Sequence, residues 1–272
     1  MSTEANQDPV SKDPTNTVTP GGPGTTLVAR IYHLVLALLG TSALAISLWR
    51  NATNPEVASP LDGISFTLSY FTVWSNIFTL IVAWALFANP RRDDKIFRWL
   101  RMTTLVMIVT TGLIYAAILA ATADPCGPGI YTNAVFHYIV PWATLLGFLL
   151  FGPRPRLTGD LIWKMLIIPI IWLIYTLLHG LVTVQRPGDI CKPAGDPLAT
   201  IGDPDNWYPY PFINPEYQDG APSALIPGLT ADGYAGIAIN IVCVIVMGMV
   251  LASIWLGLDR LLSKGEKPTP LD

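Results

Sequence analysis

The sequence predicts an all-α, polytopic membrane protein, a six-transmembrane-helix bundle with both termini in the cytoplasm. Of its 272 residues, 51% are hydrophobic and only 13% are charged, which is about half the charge of an ordinary soluble domain. The mean hydropathy is +0.47. The chain also contains six apolar stretches near the ~20 residues that cross a bilayer. Its Lys and Arg residues, finally, lie mostly in alternate connections between these stretches.

The six apolar stretches predict helices near 27–48, 64–88, 102–122, 133–150, 161–184 and 234–258. Residues 1–26 are rich in Pro, Gly, Thr and Asn and have neither a basic nor an apolar leader pattern, so we expect a disordered cytoplasmic tail. The transmembrane domain covers 27–260 and includes an extracytoplasmic loop over 185–232. Residues 261–272 form a second cytoplasmic tail.

The distribution of basic residues predicts the orientation. Thirteen of the 16 Lys and Arg residues fall at the termini or in the connections after the second and fourth helices, whereas Arg50, Arg186 and Lys192 fall in the other connections. The positive-inside rule therefore places both termini in the cytoplasm of a multi-pass plasma-membrane protein. The net charge of −3 is small, which argues against a nucleic-acid partner.

Two cysteines fall in connections on the predicted outer side, where oxidation is permitted. Cys126 lies in the short loop 124–132 and Cys191 lies in the long loop before the last helix, while Cys243 is in mid-helix. We expect a disulfide between Cys126 and Cys191 that closes the long loop over the outer mouth; the alternative is two free thiols in flexible loops. We find no metal-ligand spacing and no GxSxG, phosphate-loop, GxGxxG or HExxH motif, and we predict no metal or other cofactor.

Polar residues inside the predicted helices crowd towards the outer side. At 1.5 Å per residue, Thr72 lies about 13 Å and His137 about 6 Å from the outer ends of their helices. Ser75 and Asn76 share a helical face with Thr72, and Asn133 shares one with His137. Because polar groups in hydrocarbon usually face a bundle interior or cavity, we expect these two faces to meet at similar depth.

Other polar and aromatic residues have plainer interpretations. Pro141 would leave the carbonyl of His137 without its helical donor and kink the fourth helix beside that histidine. His179, about 7 Å deep by the same rise, is expected to be structural, and a threonine in a membrane helix more often bonds to its own backbone than reacts. By default, aromatic residues of the long loop belong to the membrane interface: Trp207, Tyr208 and Tyr210.

Short motifs in a fixed order run along all six predicted helices. They read RIYHLVLALLG, YFTVWSNIFTLIVA, TTGLIYAAILA, HYIVPWATLLGFLLFG, WLIYTLLHGLVT, WYPYPFINP and LGLDR. In these motifs and their spacing, residues 30–260 resemble the bacterial Pr-six-Pr family of integral membrane proteins. That family is in turn similar, more distantly, to the eukaryotic androgen-induced membrane hydrolases that cleave fatty acid esters of hydroxy fatty acids.

The resemblance implies an activity. Those hydrolases use an intramembrane threonine nucleophile and a histidine, which match Thr72 of FTVWSN and His137 of FHYIVPW by position. The implied function is an intramembrane lipid ester hydrolase or acyltransferase that acts on membrane lipids carrying an acyl ester. Asn76 or a loop amide would supply the oxyanion donor, and WYPYPF, at 207–212, would meet the polar end of the substrate. The further candidates for binding the substrate or its oxyanion are Ser75, Asn133, His179, Trp207, Tyr208 and Tyr210. Two long runs, 185–205 and 215–232, depart from the family pattern and imply a different outer lid.

The alternative is a non-enzymatic lipid-binding, scaffold or small-solute carrier protein. Kinked helices around a cavity are equally expected of transporters. The sequence shows neither interrupted helices in corresponding positions of two halves nor an inverted repeat, which weighs against alternating access.

Overall fold

The computed structural model describes residues 23–55, 57–152, 157–182, 191, 208–217 and 220–263, with side chains from residue 26 onward. The α-helices are, in chain order, α1 (Pro23–Ala52), α2 (Pro60–Leu68), α3 (Phe71–Ala88), α4 (Lys95–Ile114), α5 (Pro128–Ala134), α6 (Val140–Phe151), α7 (Leu161–Lys164), α8 (Ile167–Val182) and α9 (Gly233–Leu262). Of the predicted tails, residues 1–22 and 264–272 lie outside the described residues, as do 183–190 and 192–207 of the long connection.

Six helical segments in the described part are long and apolar enough to cross a membrane. They are Thr26–Ala52, Phe71–Ala88, Lys95–Thr122, Pro128–Phe151, Leu161–Val182 and Gly233–Leu262. The predicted all-α six-helix bundle is therefore confirmed. Large apolar side chains on the outside of these segments are exposed, as expected where side chains face lipid tails; examples are Val35, Leu38, Ile81, Ile174 and Val246.

The helix α4 lies at the centre of the bundle. It packs against α3, α6 and α9, and every residue from 101 to 112 is buried, as expected for a helix surrounded by others. Its side chains pack with those of the fourth span in the main core, which includes Met102, Leu105, Ile108, Val135 and Phe148. This core holds the third and fourth spans side by side.

The prediction of one unbroken second helix over 64–88 is wrong, because the structure has two helices in this region, α2 and α3. The helix α2 begins with Pro60 after Ser59, whose hydroxyl accepts from the amide of Asp62, a favourable helix start. Thr72 then lies in the first turn of α3. Thr72 was expected about 13 Å from the outer end of an unbroken helix. That distance does not apply, because a new helix begins one residue before Thr72.

Main-chain carbonyls released at this break find donors from elsewhere. The indole of Trp74 donates to the carbonyl of Leu68 at 2.7 Å. The carbonyl of Ser69 accepts from the indole of Trp172 and from the hydroxyl of Thr176, each at 3.0 Å. Broken helices are tolerated at membrane depth where such groups satisfy the backbone.

The fourth and fifth spans are also irregular, near their prolines. A π-helical turn, Val135–Ile139, joins α5 to α6, ends two residues before Pro141 and contains His137. In the fifth span a turn separates α7 from α8, four residues before Pro169. The break between α2 and α3 precedes the span Phe71–Ala88, whereas the turn between α7 and α8 lies within the span Leu161–Val182.

A disulfide joins Cys126 to Cys191, as predicted. It links the connection after the third span to the long connection after the fifth. We call this end of the bundle the disulfide end. Gly127, next to the bond, has a φ of 49°, which glycine adopts without steric cost, and Pro128 then starts α5. All three cysteines are described, and Cys243 is a free thiol within α9.

Candidate active site

Thr72 and His137 come from different spans and contact each other. The Oγ1 atom of Thr72 lies 3.3 Å from Nε2 of His137. Thr72 is buried and His137 is half-buried. The break before α3 and the π turn of the fourth span therefore bring a hydroxyl and an imidazole within hydrogen-bonding distance.

The contact made by Nδ1 of His137 determines whether Nε2 donates or accepts. Nδ1 lies 3.1 Å from the main-chain oxygen of Asn133. A carbonyl oxygen only accepts, so in the neutral imidazole Nδ1 carries the proton and Nε2 is an acceptor for the hydroxyl of Thr72. Tyr115 stacks on the imidazole, with ring centroids 3.8 Å apart and planes 17° from parallel. Main chain and aromatic ring together orient His137.

Tyr210 stands on the other side of Thr72. Its hydroxyl lies 3.5 Å from Oγ1 of Thr72 and accepts from the amide of Thr72 at 3.3 Å, which satisfies a free amide at the start of α3. The ring stacks on Phe212, with centroids 5.0 Å apart. Burial raises the pKa of Tyr210 above its ordinary value, so the phenol keeps its proton at neutral pH and can donate it.

Two cavities meet at Thr72. The apolar cavity, about 110 Å³, lies between α3, α4, α8 and α9, and its lining includes Phe71, Ile114, Leu173, Val244 and Gly248. The polar cavity, about 440 Å³, reaches the disulfide, and its lining includes Arg50, Asn51, Asn133, His137 and Cys191. Both cavities share Thr72, Leu119 and Tyr210. The hydroxyl of Thr72 is therefore at the boundary between an apolar and a polar compartment.

No family model, curated protein or solved structure matches the chain. The resemblance to the Pr-six-Pr family therefore stays a prediction.

Ser75 and Asn76 hold the main chain at Thr72. The hydroxyl of Ser75 donates to the carbonyl of Thr72 at 2.9 Å and lies 2.9 Å from the hydroxyl of Thr111. The amide of Asn76 donates to the carbonyls of Thr72 at 2.8 Å and Phe136 at 3.4 Å. Asn76 thus ties the two spans together, and the Tyr210 hydroxyl is better placed than its amide to donate to an oxyanion.

The remaining predicted residues lie around this centre. His179 contacts the helix break, with Nδ1 3.2 Å from the hydroxyl of Ser69. Tyr208 is buried, and its hydroxyl lies 3.4 Å from that of Tyr234. A Cβ added at Gly180 would overlap the ring of Tyr208, so α8 and the long connection approach closely here. Trp207 lies outside the described residues.

Tyr115 and Arg50 also lie at the site, although the sequence did not mark either as a site residue. One signal for Tyr115 was Gly112, three residues earlier in the same span. A Cβ at Gly112 would lie 3.0 Å from Pro141 Cβ, and small residues in membrane helices commonly mark close helix approach. Arg50, counted only as a loop charge, lines the polar cavity.

Proposed function

We propose that the protein is an intramembrane lipid ester hydrolase or acyltransferase in which Thr72 is the nucleophile and His137 the general base. The single observation that carries the proposal is the 3.3 Å contact between Oγ1 of Thr72 and Nε2 of His137. A threonine hydroxyl is a weak nucleophile until a neighbouring base accepts its proton. The contact of Nδ1 with Asn133 supports that role because it leaves Nε2 free to accept.

The reaction then takes two steps. Oγ1 of Thr72 attacks the ester carbonyl while its proton passes to Nε2 of His137, and the tetrahedral intermediate expels the alcohol, which takes that proton. The acyl group is now esterified to Thr72. Water completes a hydrolysis, or a second alcohol completes a transfer, with His137 accepting the proton of the attacking hydroxyl and returning it to Thr72.

Tyr210 is our candidate for the oxyanion donor. Its oxygen already accepts from the amide of Thr72, so its own proton is free to point at a group bound beside Thr72. Donors placed where negative charge develops commonly contribute a factor of about 10²–10³ to the rate of acyl transfer.

The two cavities suit the two parts of an ester. An acyl chain would occupy the apolar cavity, and the alcohol part would occupy the polar cavity, with the carbonyl at the boundary beside Thr72. We further propose that the disulfide end faces outwards from a bacterial plasma membrane and that both termini are cytoplasmic. The bias of basic residues supports this orientation, as does a disulfide at that end.

Site-directed variants test the proposal. Purified parent protein in detergent micelles should hydrolyse a fluorogenic ester such as 4-methylumbelliferyl octanoate. Thr72→Ala and His137→Gln should each lower the rate by about 10²–10⁴, and Thr72→Ser should retain turnover. Thr79→Val is the matched control because Thr79 is buried on the same helix but donates to the carbonyl of Ser75. Turnover by Thr72→Ala at the parent rate would refute the proposal.

One observation favours a second candidate, a lipid carrier without catalysis. The apolar and polar cavities share Thr72, Leu119 and Tyr210 among their lining residues, so together they also suit an amphiphile that is bound and not cleaved. Treatment with an activated fluorophosphonate separates the candidates. A covalent adduct on Thr72, found by peptide mass spectrometry and absent from His137→Gln, supports the hydrolase; an unmodified Thr72 supports the carrier.

A further inference from the structure

The helices α8 and α9 form two walls of the apolar cavity without packing closely on each other. The lining includes Ile170 and Leu173 of α8 and Ile241, Val244 and Ile245 of α9. Among the described helices α8 packs against α3, whereas α9 packs against α4 and α7. A gap therefore separates α8 from α9 at the level of the cavity. We call this gap, bordered by these five residues, the lateral slit.

The lateral slit is closed at both of its ends. At the disulfide end Tyr208 packs so closely on α8 that a Cβ added at Gly180 would overlap its ring. Residues 211–213 of the same connection pack against α9, where the amide of Asn240 donates to the carbonyls of Phe212 and Ser223, each at 2.9 Å. At the opposite end α7, directly before α8, packs against α4 and α9. The slit is thus confined to the middle of the two helices.

Ile170 shows that the cavity reaches the surface at the lateral slit. It lines the cavity, yet it is 43% exposed and belongs to the exposed stripe of α8 formed with Ile167, Ile171 and Ile174 at helical spacing. It lies 12 residues before the end of α8 at Val182, or about 18 Å at the helical rise. That is near the middle of a hydrocarbon core about 30 Å thick. The slit therefore opens towards lipid tails.

We propose that the lateral slit is the entrance through which the acyl chain of a membrane lipid passes from the bilayer into the apolar cavity. All five residues that border the slit are aliphatic, so a hydrocarbon chain passes between them without desolvating a polar side chain. The entrance rests on the assignment of the apolar cavity to an acyl chain in the function proposed above, but it does not require that Thr72 reacts.

Photo-crosslinking tests the entrance without turnover. Thr72→Ala protein in phosphatidylcholine nanodiscs is mixed with palmitate that carries a diazirine near the middle of its chain, irradiated and digested, and fragment mass spectra locate the adducts. Thr110 and Thr111 of α4 are buried and line the apolar cavity, so only a chain inside the cavity labels them. We expect adducts on both threonines as well as on lipid-facing side chains such as Ile174. Adducts on lipid-facing side chains alone would overturn the proposal.

Narrowing the lateral slit should exclude the chain. In the same background, Ile170→Trp should lower the adducts on Thr110 and Thr111 by roughly tenfold or more, because overpacking typically opposes binding by that factor, and should leave lipid-facing adducts unchanged. Ile171→Trp is the matched control, since Ile171 is exposed on the same helix and is not part of the cavity lining. It should retain the adducts on both threonines.

The other wall of the slit gives a second, independent variant. Ile245→Trp narrows the slit from α9 and should act like Ile170→Trp, and it decides if Ile170→Trp does not fold. Its control is Val246→Trp, at an exposed neighbour outside the cavity lining. Threonine adducts at the level of the unsubstituted background in both slit variants would overturn the entrance and favour loading through the polar cavity.

Widening the slit distinguishes a narrowed entrance from a filled cavity. Ile170→Ala removes bulk from the slit, so flash irradiation at set times after mixing should show adducts on Thr110 sooner than in the unsubstituted background. Slower labelling in this variant would also overturn the proposal. Because every sample lacks the Thr72 hydroxyl, these results do not depend on ester hydrolysis, and a protein without esterase activity still reports on the slit.

Discussion

Nδ1 of His137 lies 3.1 Å from the main-chain oxygen of Asn133, and this contact leaves Nε2 facing Thr72 as an acceptor. In serine hydrolases a carboxylate orients the histidine. Here a main-chain carbonyl, that of Asn133, contacts the corresponding nitrogen of His137. Replacement of the Asn133 side chain should therefore leave the tautomer of His137 intact.

The first prediction is that Asn133→Ala keeps the Nδ1–H tautomer and retains ester turnover within about threefold, the range of a mild substitution. ¹⁵N spectra of histidine-labelled protein, with His33 and His179 substituted to remove their signals, report the tautomer directly. Tyr115→Leu is the contrasting variant because it removes the ring stacked on the imidazole, a contact worth about 0.5–1.5 kcal/mol, and should lower the rate more. A switch to the Nε2–H tautomer in Asn133→Ala would contradict this account.

The second prediction concerns the helix break before Thr72. Trp172→Phe and Thr176→Val each remove one of two donors to the carbonyl of Ser69. Each substitution should lower the free energy of unfolding by about 0.6 kcal/mol, the usual contribution of a hydrogen bond between membrane helices. The double variant should cost more than the sum, because a buried carbonyl without any donor carries a penalty of about 1–3 kcal/mol.

Unfolding in mixed micelles with increasing SDS measures these free energies as a double-mutant cycle. Trp163→Phe is the control, since Trp163 is 64% exposed and its replacement should be neutral. Strictly additive effects would mean that the break is held by other contacts.

Local sequence was enough to predict the six spans, because hydropathy depends on neighbouring residues. The disulfide could be predicted because six alternating spans place Cys126 and Cys191 at the same end of the bundle. Helical spacing placed Ser75 and Asn76 on the face of Thr72, and the structure joins this face to the fourth span through the contact of Asn76 with Phe136.

The break between α2 and α3 could not be predicted in the same way. Its carbonyls are satisfied by Trp172 and Thr176, more than 100 residues further along the chain. The Tyr210 hydroxyl reaches Thr72 across 138 residues, and an aromatic residue in a loop is by default assigned to the membrane interface. Contacts of this range depend on how the helices pack, which residue patterns within one span do not encode.

The third prediction is that the disulfide stabilises the bundle and forms part of the site. Cys126 and Cys191 are 65 residues apart, and closing a loop of this size typically contributes about 2–4 kcal/mol. Cys191→Ser should lower the free energy of unfolding by this amount, and it should lower ester turnover because Arg50, which lines the polar cavity, loses its contact with the Cys191 sulfur.

Reduction of the parent protein should reproduce both effects, and Cys243→Ser, which removes the free thiol, should produce neither. Alkylation of the unreduced, denatured protein should modify Cys243 alone. An unchanged unfolding midpoint after full reduction, verified by alkylation at all three positions, would show that the bond is dispensable.

The fourth prediction uses the apolar cavity to set acyl-chain length. Gly248 lines this cavity, and a Cβ there would meet Met165 and Val106 only at ordinary contact distance, 3.5 Å. Along α9, Gly248 lies about 12 Å from the level of Asn240, whose amide donates to the carbonyl of Phe212 near the Thr72 end of the cavity. A larger side chain at Gly248 would therefore fill the far end of the cavity without disturbing Thr72.

Gly248→Leu should lower turnover of a decanoyl ester by about tenfold or more, because overpacking typically costs 1–3 kcal/mol, and it should leave a butanoyl ester at the parent rate. The control is Gly257→Leu on the same helix, where an added Cβ has no neighbour within 4 Å in the described part of the chain. For the parent protein and for each of the two variants, kcat/KM is measured with both esters. The ratio of the decanoyl value to the butanoyl value then reports the effect of each substitution on acyl-chain length. If Gly248→Leu slows both esters equally, the acyl chain does not occupy the apolar cavity and must leave Thr72 through another opening between the helices.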